Sequence, residues 1–198
     1  IFIILFGFGN GLGNTFQEFF NDDKSNTIWI YPGVTDKPFK GYESARKIEF
    51  DNSDLKDIQQ QFAYYLESIT PRIHDQATVK FNGEANSYSI RAVSPSHQYN
   101  EMTIMMKGRY LNEDDIKNKC QYAVIGRLVE QDIFKNTEPI GQYLHAGGHS
   151  WKVIGVFQDD GGDNEERIIY IPYTSYQKLQ SRNNKIDEIV LSYNPEIG

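Results

Sequence analysis

An α+β fold is the class this sequence predicts, on three observations. Strand signals come in runs with few helical stretches between them, which is not the regular alternation of a doubly wound sheet. Two tight hairpin signals, Asn82-Gly83 and Gly147-Gly148, join neighbouring apolar runs. Aromatic residues are plentiful as well, with 13 Tyr, 12 Phe and 2 Trp in 198 residues, a composition that suits strands and packed cores rather than disorder.

The elements follow in order. Thr27–Tyr31 is β-branched and aromatic and is stopped by Pro32-Gly33, so it reads as a strand. Residues 34–49 are polar, contain Pro38 and Gly41, and read as a loop. Asp51–Phe62 reads as a helix capped by Asp51 or Asn52, with Asp54 at its positive end and Leu55, Ile58 and Phe62 on one face. Tyr64–Ile73 leads into Ala77–Phe81, and Tyr88–Val93 answers it across the Asn82-Gly83 turn. Ser94–Glu101 is a turn-rich connection through Pro95. Gly108–Leu111 precedes an acidic helix start at Asn112–Asp115. Tyr122–Gly126 is a buried strand, Arg127–Phe134 a short helix, and Pro139–Gly141 a turn. Gln142–Ala146 and Trp151–Phe157 pair through Gly147-Gly148. Arg167–Pro172 is a strand, Thr174–Leu179 a turn or two of helix, and Glu188–Tyr193 the last strand.

The net charge of −7 argues against a nucleic-acid partner, which needs a basic patch, and against electrostatic adhesion to anionic lipid. Cys120 stands alone, so there is neither a disulfide framework nor a cysteine zinc site. Residues 1–8, Ile-Phe-Ile-Ile-Leu-Phe-Gly-Phe, carry no polar side chain. As a helix they rise about 12 Å, short of the ~30 Å hydrocarbon core, and they lack the positive start of a signal peptide. The expected reading is the end of a membrane helix cut partway, with a buried strand as the alternative. Leu12, Phe16, Phe19 and Phe20 then recur at helical spacing, so an amphipathic segment follows. Glycines 7, 9, 11 and 13 fit neither the dinucleotide fingerprint nor a Walker loop. They mark the exit from the membrane segment over residues 1–13.

No catalytic, cofactor-binding or metal-ligating residue rises above background. His145 and His149 are four apart but flank a two-residue turn. That register sets Ala146 against His149 and His145 against Ser150, so the imidazoles diverge. His74 and His97 are the other two histidines. Asp159–Glu166 holds five carboxylates in an acidic loop that fails the EF-hand pattern in its first half. It reads as a solvated hairpin tip, with weak calcium binding as the sharper alternative. No G-x-S-x-G elbow is present, and Cys120 reads as a small half-buried residue.

The ordered signals nevertheless resemble a family. "GFGNGLGNTFQEFF" (7–20), "NTIWIYPG" (26–33), "KGRYLNEDD" (107–115), "YAVIGRLVEQDIF" (122–134), "EPIGQYL" (138–144), "WKVIGVFQD" (151–159) and "IYIPYTSYQKL" (169–179) are similar, in order and spacing, to the extracytoplasmic core domain of MacB-type, FtsX-like ABC transporter permeases. The resemblance implies two subdomains: an α/β layer from both ends of the chain and an inserted, mostly β lobe. Residues 14–94 and 95–198 together make the extracytoplasmic domain, with a seam near 95–110. It also implies a non-catalytic role at the cell inner membrane, on the periplasmic side, with no cofactor. ATP is then hydrolysed in a separate or fused cytoplasmic ABC ATPase. A second permease copy and a periplasmic adaptor are the implied partners, and export or envelope maintenance the outcome. A ligand-binding or sensor ectodomain of a membrane-tethered signalling protein is the alternative reading.

Overall fold

The computed structural model describes residues 26–38, 41 and 43–194. The membrane exit expected over 1–13 and the amphipathic segment after it lie outside the described residues. Strands β1 (Thr27–Ile30) and β2 (Phe50–Asp51) precede helix α1 (Asn52–Gln61). The long strands β3 (Leu66–Phe81) and β4 (Glu84–Val93) are followed by the one-turn helix α2 (His97–Asn100) and β5 (Ile104–Gly108). Helix α3 (Glu113–Lys117), β6 (Tyr122–Gly126) and α4 (Arg127–Val129) come next, and α4 runs into one turn of π-helix over Glu130–Phe134. The hairpin strands β7 (Tyr143–Ala146) and β8 (His149–Gln158) lead to β9 (Ile168–Pro172), α5 (Tyr173–Leu179), β10 (Lys185–Ile186) and β11 (Glu188–Tyr193). The class is mixed α and β, as the sequence predicts.

Local chemistry accounts for most boundaries. Asn82 and Gly83, at φ 45° and 87°, make the tight turn between β3 and β4. Asp51 caps α1 and Asn112 caps α3, each in a reciprocal capping box with the acid three residues on. Three elements differ from expectation. Tyr64–Ile73 and Ala77–Phe81 are one continuous strand, β3, because each half has its own partner: β11 up to Arg72, β4 from there on. Ile104–Gly108, a segment with no clear strand signal, is an edge strand held by β8 alone and broken by a bulge near Met106. The second half of the expected 127–134 helix is π-helical, so Ile133 and Phe134 both turn inward.

Strand order is β1-β11-β3-β4-β9-β6-β8-β5, and β7 pairs with both β8 and β3. Strands β3, β4, β9, β6, β8 and β7 therefore close into a ring, its last link a bridge between Lys80 and His145. Alternate residues of all six strands point inside, and Val129, Ile133, Phe134 and Tyr176 fill the remaining space. A second, smaller core lies on the outer face of four of these strands. It gathers Val93, Val124, Phe157, Ile168 and Tyr170 under Tyr110 and Leu111. Beside the ring, β1, β11 and the first half of β3 form a layer built from both ends of the described chain, with α1 against β3 and α2 against β11.

Three glycines of the recognised segments sit where backbones nearly touch. A Cβ on Gly108 would lie 2.1 Å from the Ile154 carbonyl oxygen, one on Gly126 2.1 Å from that of Glu166, and one on Gly155 2.3 Å from that of Arg109. The rest of "KGRYLNEDD" is equally structural. Arg109 grips Asp115 with two bonds of 2.6 and 3.0 Å, Asn112 caps α3, and Tyr110 and Leu111 are core.

Candidate functional site

The described chain enters and leaves through one place. Thr27 of β1 pairs with Ser192 of β11, and Asn26 bonds the Tyr193 carbonyl oxygen through its side chain while its own carbonyl accepts the Tyr193 amide at 3.1 Å. Phe62, Tyr64, Tyr65 and Tyr193 are exposed. Asn194 donates to the Tyr65 carbonyl at 2.9 Å, which brings these aromatics to the same pole.

At the other end of β11 from this pole, an alternating run of charges crosses the sheet. His74 Nε2 lies 2.9 Å from Glu188 on β11, and Glu188 lies 3.7 Å from Arg72 on β3. Arg72 pairs with Glu101, at the end of α2, and Glu101 lies 3.6 Å from Arg91 on β4. Arg91 in turn holds Glu165 of the acidic loop through bonds of 2.7 and 3.3 Å. Burial opposes ionisation of Glu188, yet the His74 bond and the Arg72 charge outweigh it and hold the carboxyl below its usual range. Burial likewise works against the Arg91 cation, and the facing Tyr170, Glu165 and Glu101 more than offset it.

The segment 94–101 is stitched onto the sheet beside this run. Ser94 donates to Thr70 Oγ1 at 2.7 Å and Ser96 to the Ile69 carbonyl at 2.9 Å, while Asn100 Oδ1 accepts from Ser68 and Ser192. Within it His97 is fully buried, edge-on to Tyr170 with 4.9 Å between centroids. Its ring nitrogens make no hydrogen bond within the described protein. Burial, then the charges of Arg72 and Arg91, push its pKa well below the ordinary 6.5. The folded domain thus holds His97 neutral while the unfolded chain protonates it near 6.5, so its stability contribution is full above that pH and declines below it. Between about pH 5 and 6.5 the slope approaches ~1.4 kcal/mol per pH unit. His97→Leu is expected to flatten this part of the pH–stability curve, read by urea titration at several pH values.

The other singled-out residues are dispersed. His145 faces Ser150, 2.9 Å from its hydroxyl, and His149 faces Ala146, the register the turn predicts. In the acidic loop, Glu165 is taken by Arg91 and Glu166 by Arg127, while Asp159 accepts from the Gly161 amide. Among the described residues no three His, Cys, Asp or Glu side chains converge to hold a metal ion. Cys120 is half-buried, which raises its thiol pKa, and its carbonyl accepts from Ser175. Sequence reasoning missed Arg72, Arg91, Glu101 and Glu188. For Arg91 the available signal was a charge between apolar neighbours, Ile90-Arg91-Ala92, whereas Glu101 lies in no strand and Arg72 shares β3 with several other charges. No helix among the described residues is long and apolar enough to cross a membrane.

Comparison with known proteins agrees with this architecture. The family model described as MacB-like periplasmic core domain matches residues 1–197. Over 170 residues the chain is 25% identical to a macrolide export ATP-binding/permease protein MacB of Vibrio parahaemolyticus, covering 84% of this chain and 25% of that protein. A MacB of Hahella chejuensis is 27% identical over 155 residues, covering 76% of this chain and 23% of its own length. The chain thus spans about a quarter of the curated relatives it matches. Among solved structures, the periplasmic region of MacB from Actinobacillus actinomycetemcomitans superposes with a TM-score of 0.74 at 21% identity, covering 89% of this chain and 78% of that one. The extracellular domain of the noncanonic ABC-type transporter YknZ, from Gram-positive bacteria, gives 0.69 at 16%, covering 85% and 84%. The matched segment, the fold and the shared motif order together place the chain in the MacB-like periplasmic core domain family, a domain of ABC transporter permeases.

Proposed function

We propose that this chain is a non-catalytic relay: it stands on the periplasmic side of the inner membrane and passes motion from the membrane-embedded parts of its permease to partners outside. The observation that carries the reading is the pairing of β1 with β11 at the pole where the described chain enters and leaves. Displacement of the flanking segments acts there first, on two neighbouring strands. The charges from Glu188 to Glu165 then tie the far end of β11 to β3, β4 and the acidic loop. A cytoplasmic ABC ATPase supplies the energy in this scheme, a second permease copy completes the transporter, and a periplasmic adaptor docks on the domain. Nucleotide binding acts by favouring one arrangement of the pair, to which the domain responds as a population shift. Two subdomains with a seam at 95–110 fit the scheme, because that stretch links β4 to the second half of the ring.

The test is mechanical. In the full permease with its ATPase, a short flexible Gly-Ser segment inserted after Asn194 leaves the fold intact but slackens the connection to β11. Export is expected to fall about tenfold or more while ATP hydrolysis persists, the size of an ordinary coupling energy. Undiminished export would refute the relay.

A further inference from the structure

One edge of β3 is left bare in its middle. The Arg72 carbonyl accepts from the Asp187 amide on the β11 side, and the His74 amide donates to Asp187 Oδ2 at 3.0 Å. Backbone groups of alternate strand residues point the same way, so those of Gln76 and Thr78 face this edge as well. The edge is next covered only at Lys80, by its bridge to His145 of β7. From Arg72 to Lys80 the strand runs roughly 26 Å at about 3.3 Å per residue. A cleft of about 480 Å³ opens along it, lined by Gln76–Thr78, Lys80 and His145–Gly148. The Gln76 amide is met only by the neighbouring Asp75 carboxylate, at 2.8 Å.

We propose that this cleft receives an extended peptide segment of a protein partner, added as a strand between β11 and β7. Two features specify the segment. Lys80 and His145 stand opposite one another in register, both exposed, and Lys80 makes no ion pair among the described residues, so the outward side chain of the incoming strand is acidic. The inward side meets Ala77 and Ala146, which line the cleft, and takes small apolar residues. Main-chain bonds to Gln76 and Thr78 supply affinity, and the alternate side chains supply choice. This assignment of a partner's chemistry rests on the reading that the domain docks partners outside the membrane. Peptide binding to the chain itself nevertheless succeeds or fails independently of export.

The experiment titrates the chain with the blocked peptide Ala-Val-Glu-Val-Ala and with Ala-Val-Lys-Val-Ala, following amide shifts and hydrogen exchange. The acidic peptide is expected to protect the Gln76 and Thr78 amides and to bind more tightly than its lysine counterpart. Lys80→Glu should weaken it about tenfold and reverse the preference. Thr78→Pro, which removes an edge-facing N–H and nothing from the β4 ladder, should abolish binding; if it fails to fold, Lys80→Glu still decides. No protection at millimolar peptide, protection elsewhere, or indifference to Lys80→Glu would overturn the proposal. Protection that rises with chain concentration and without peptide would overturn it too, because the occupant would then be a second copy.

Discussion

Replacing Gly108 by alanine is expected to cost the domain about 2–5 kcal/mol, a large share of the ~5–15 kcal/mol that holds an ordinary domain. Two penalties coincide there. Gly108 has φ +66°, a left-handed conformation that costs an L-residue roughly 1–2 kcal/mol. The added Cβ would also lie 2.1 Å from the Ile154 carbonyl oxygen and 3.1 Å from Gly155 Cα. Both are backbone atoms of β8, so relief requires the β5–β8 pairing to shift, an overpacking cost of about 1–3 kcal/mol. Gly83→Ala separates the two effects. Its φ is +87° and nothing lies within 4 Å, so only the conformational penalty applies. Urea denaturation of both variants checks this, and equal losses would mean that the β5–β8 contact yields freely.

The second large effect is expected at Glu101. Its side chain is 12% exposed and that of its partner Arg72 8%, so Glu101→Ala leaves a buried guanidinium facing only the Glu188 carboxylate, 3.7 Å away. Breaking a buried pair by removing one partner costs about 3–5 kcal/mol, much more than the pair contributes on balance. Glu165→Ala, at the wetter end of the same run and 30% exposed, should cost nearer 1 kcal/mol. A denaturant series on the two variants tests the ranking. Similar losses would show that burial does not grade the run as argued.

What was legible in the sequence follows the range of the interactions. The Asn82-Gly83 and Gly147-Gly148 turns, the caps at Asp51 and Asn112, and the strand Tyr122–Gly126 are set by neighbours a few residues apart, and each lies where local chemistry puts it. The ordered motifs were legible too, although only the folded chain reveals why their glycines are glycines. The charged run was not legible. Its partners lie 29 residues apart for Arg72 and Glu101, 74 for Arg91 and Glu165, and 114 for His74 and Glu188. Ring closure was hidden for the same reason: no pattern within β3 or β7 announces that Lys80 meets His145. Strand β5 escaped because it is an edge, where Ile104 and Met106 are exposed and the usual alternation of apolar and polar residues is blurred.

The side-by-side pairing of β1 and β11 also fixes how the domain bears load. Thr27 and Ser192 are the first and nearly the last residues of two antiparallel neighbours. Forces that separate the two ends would open that ladder one rung at a time from Asn26 and Tyr193 upward, as a zipper opens. A pull shared by both ends loads no rung against another. The β1–β11 ladder therefore resists a pull that both ends share far better than one that parts them.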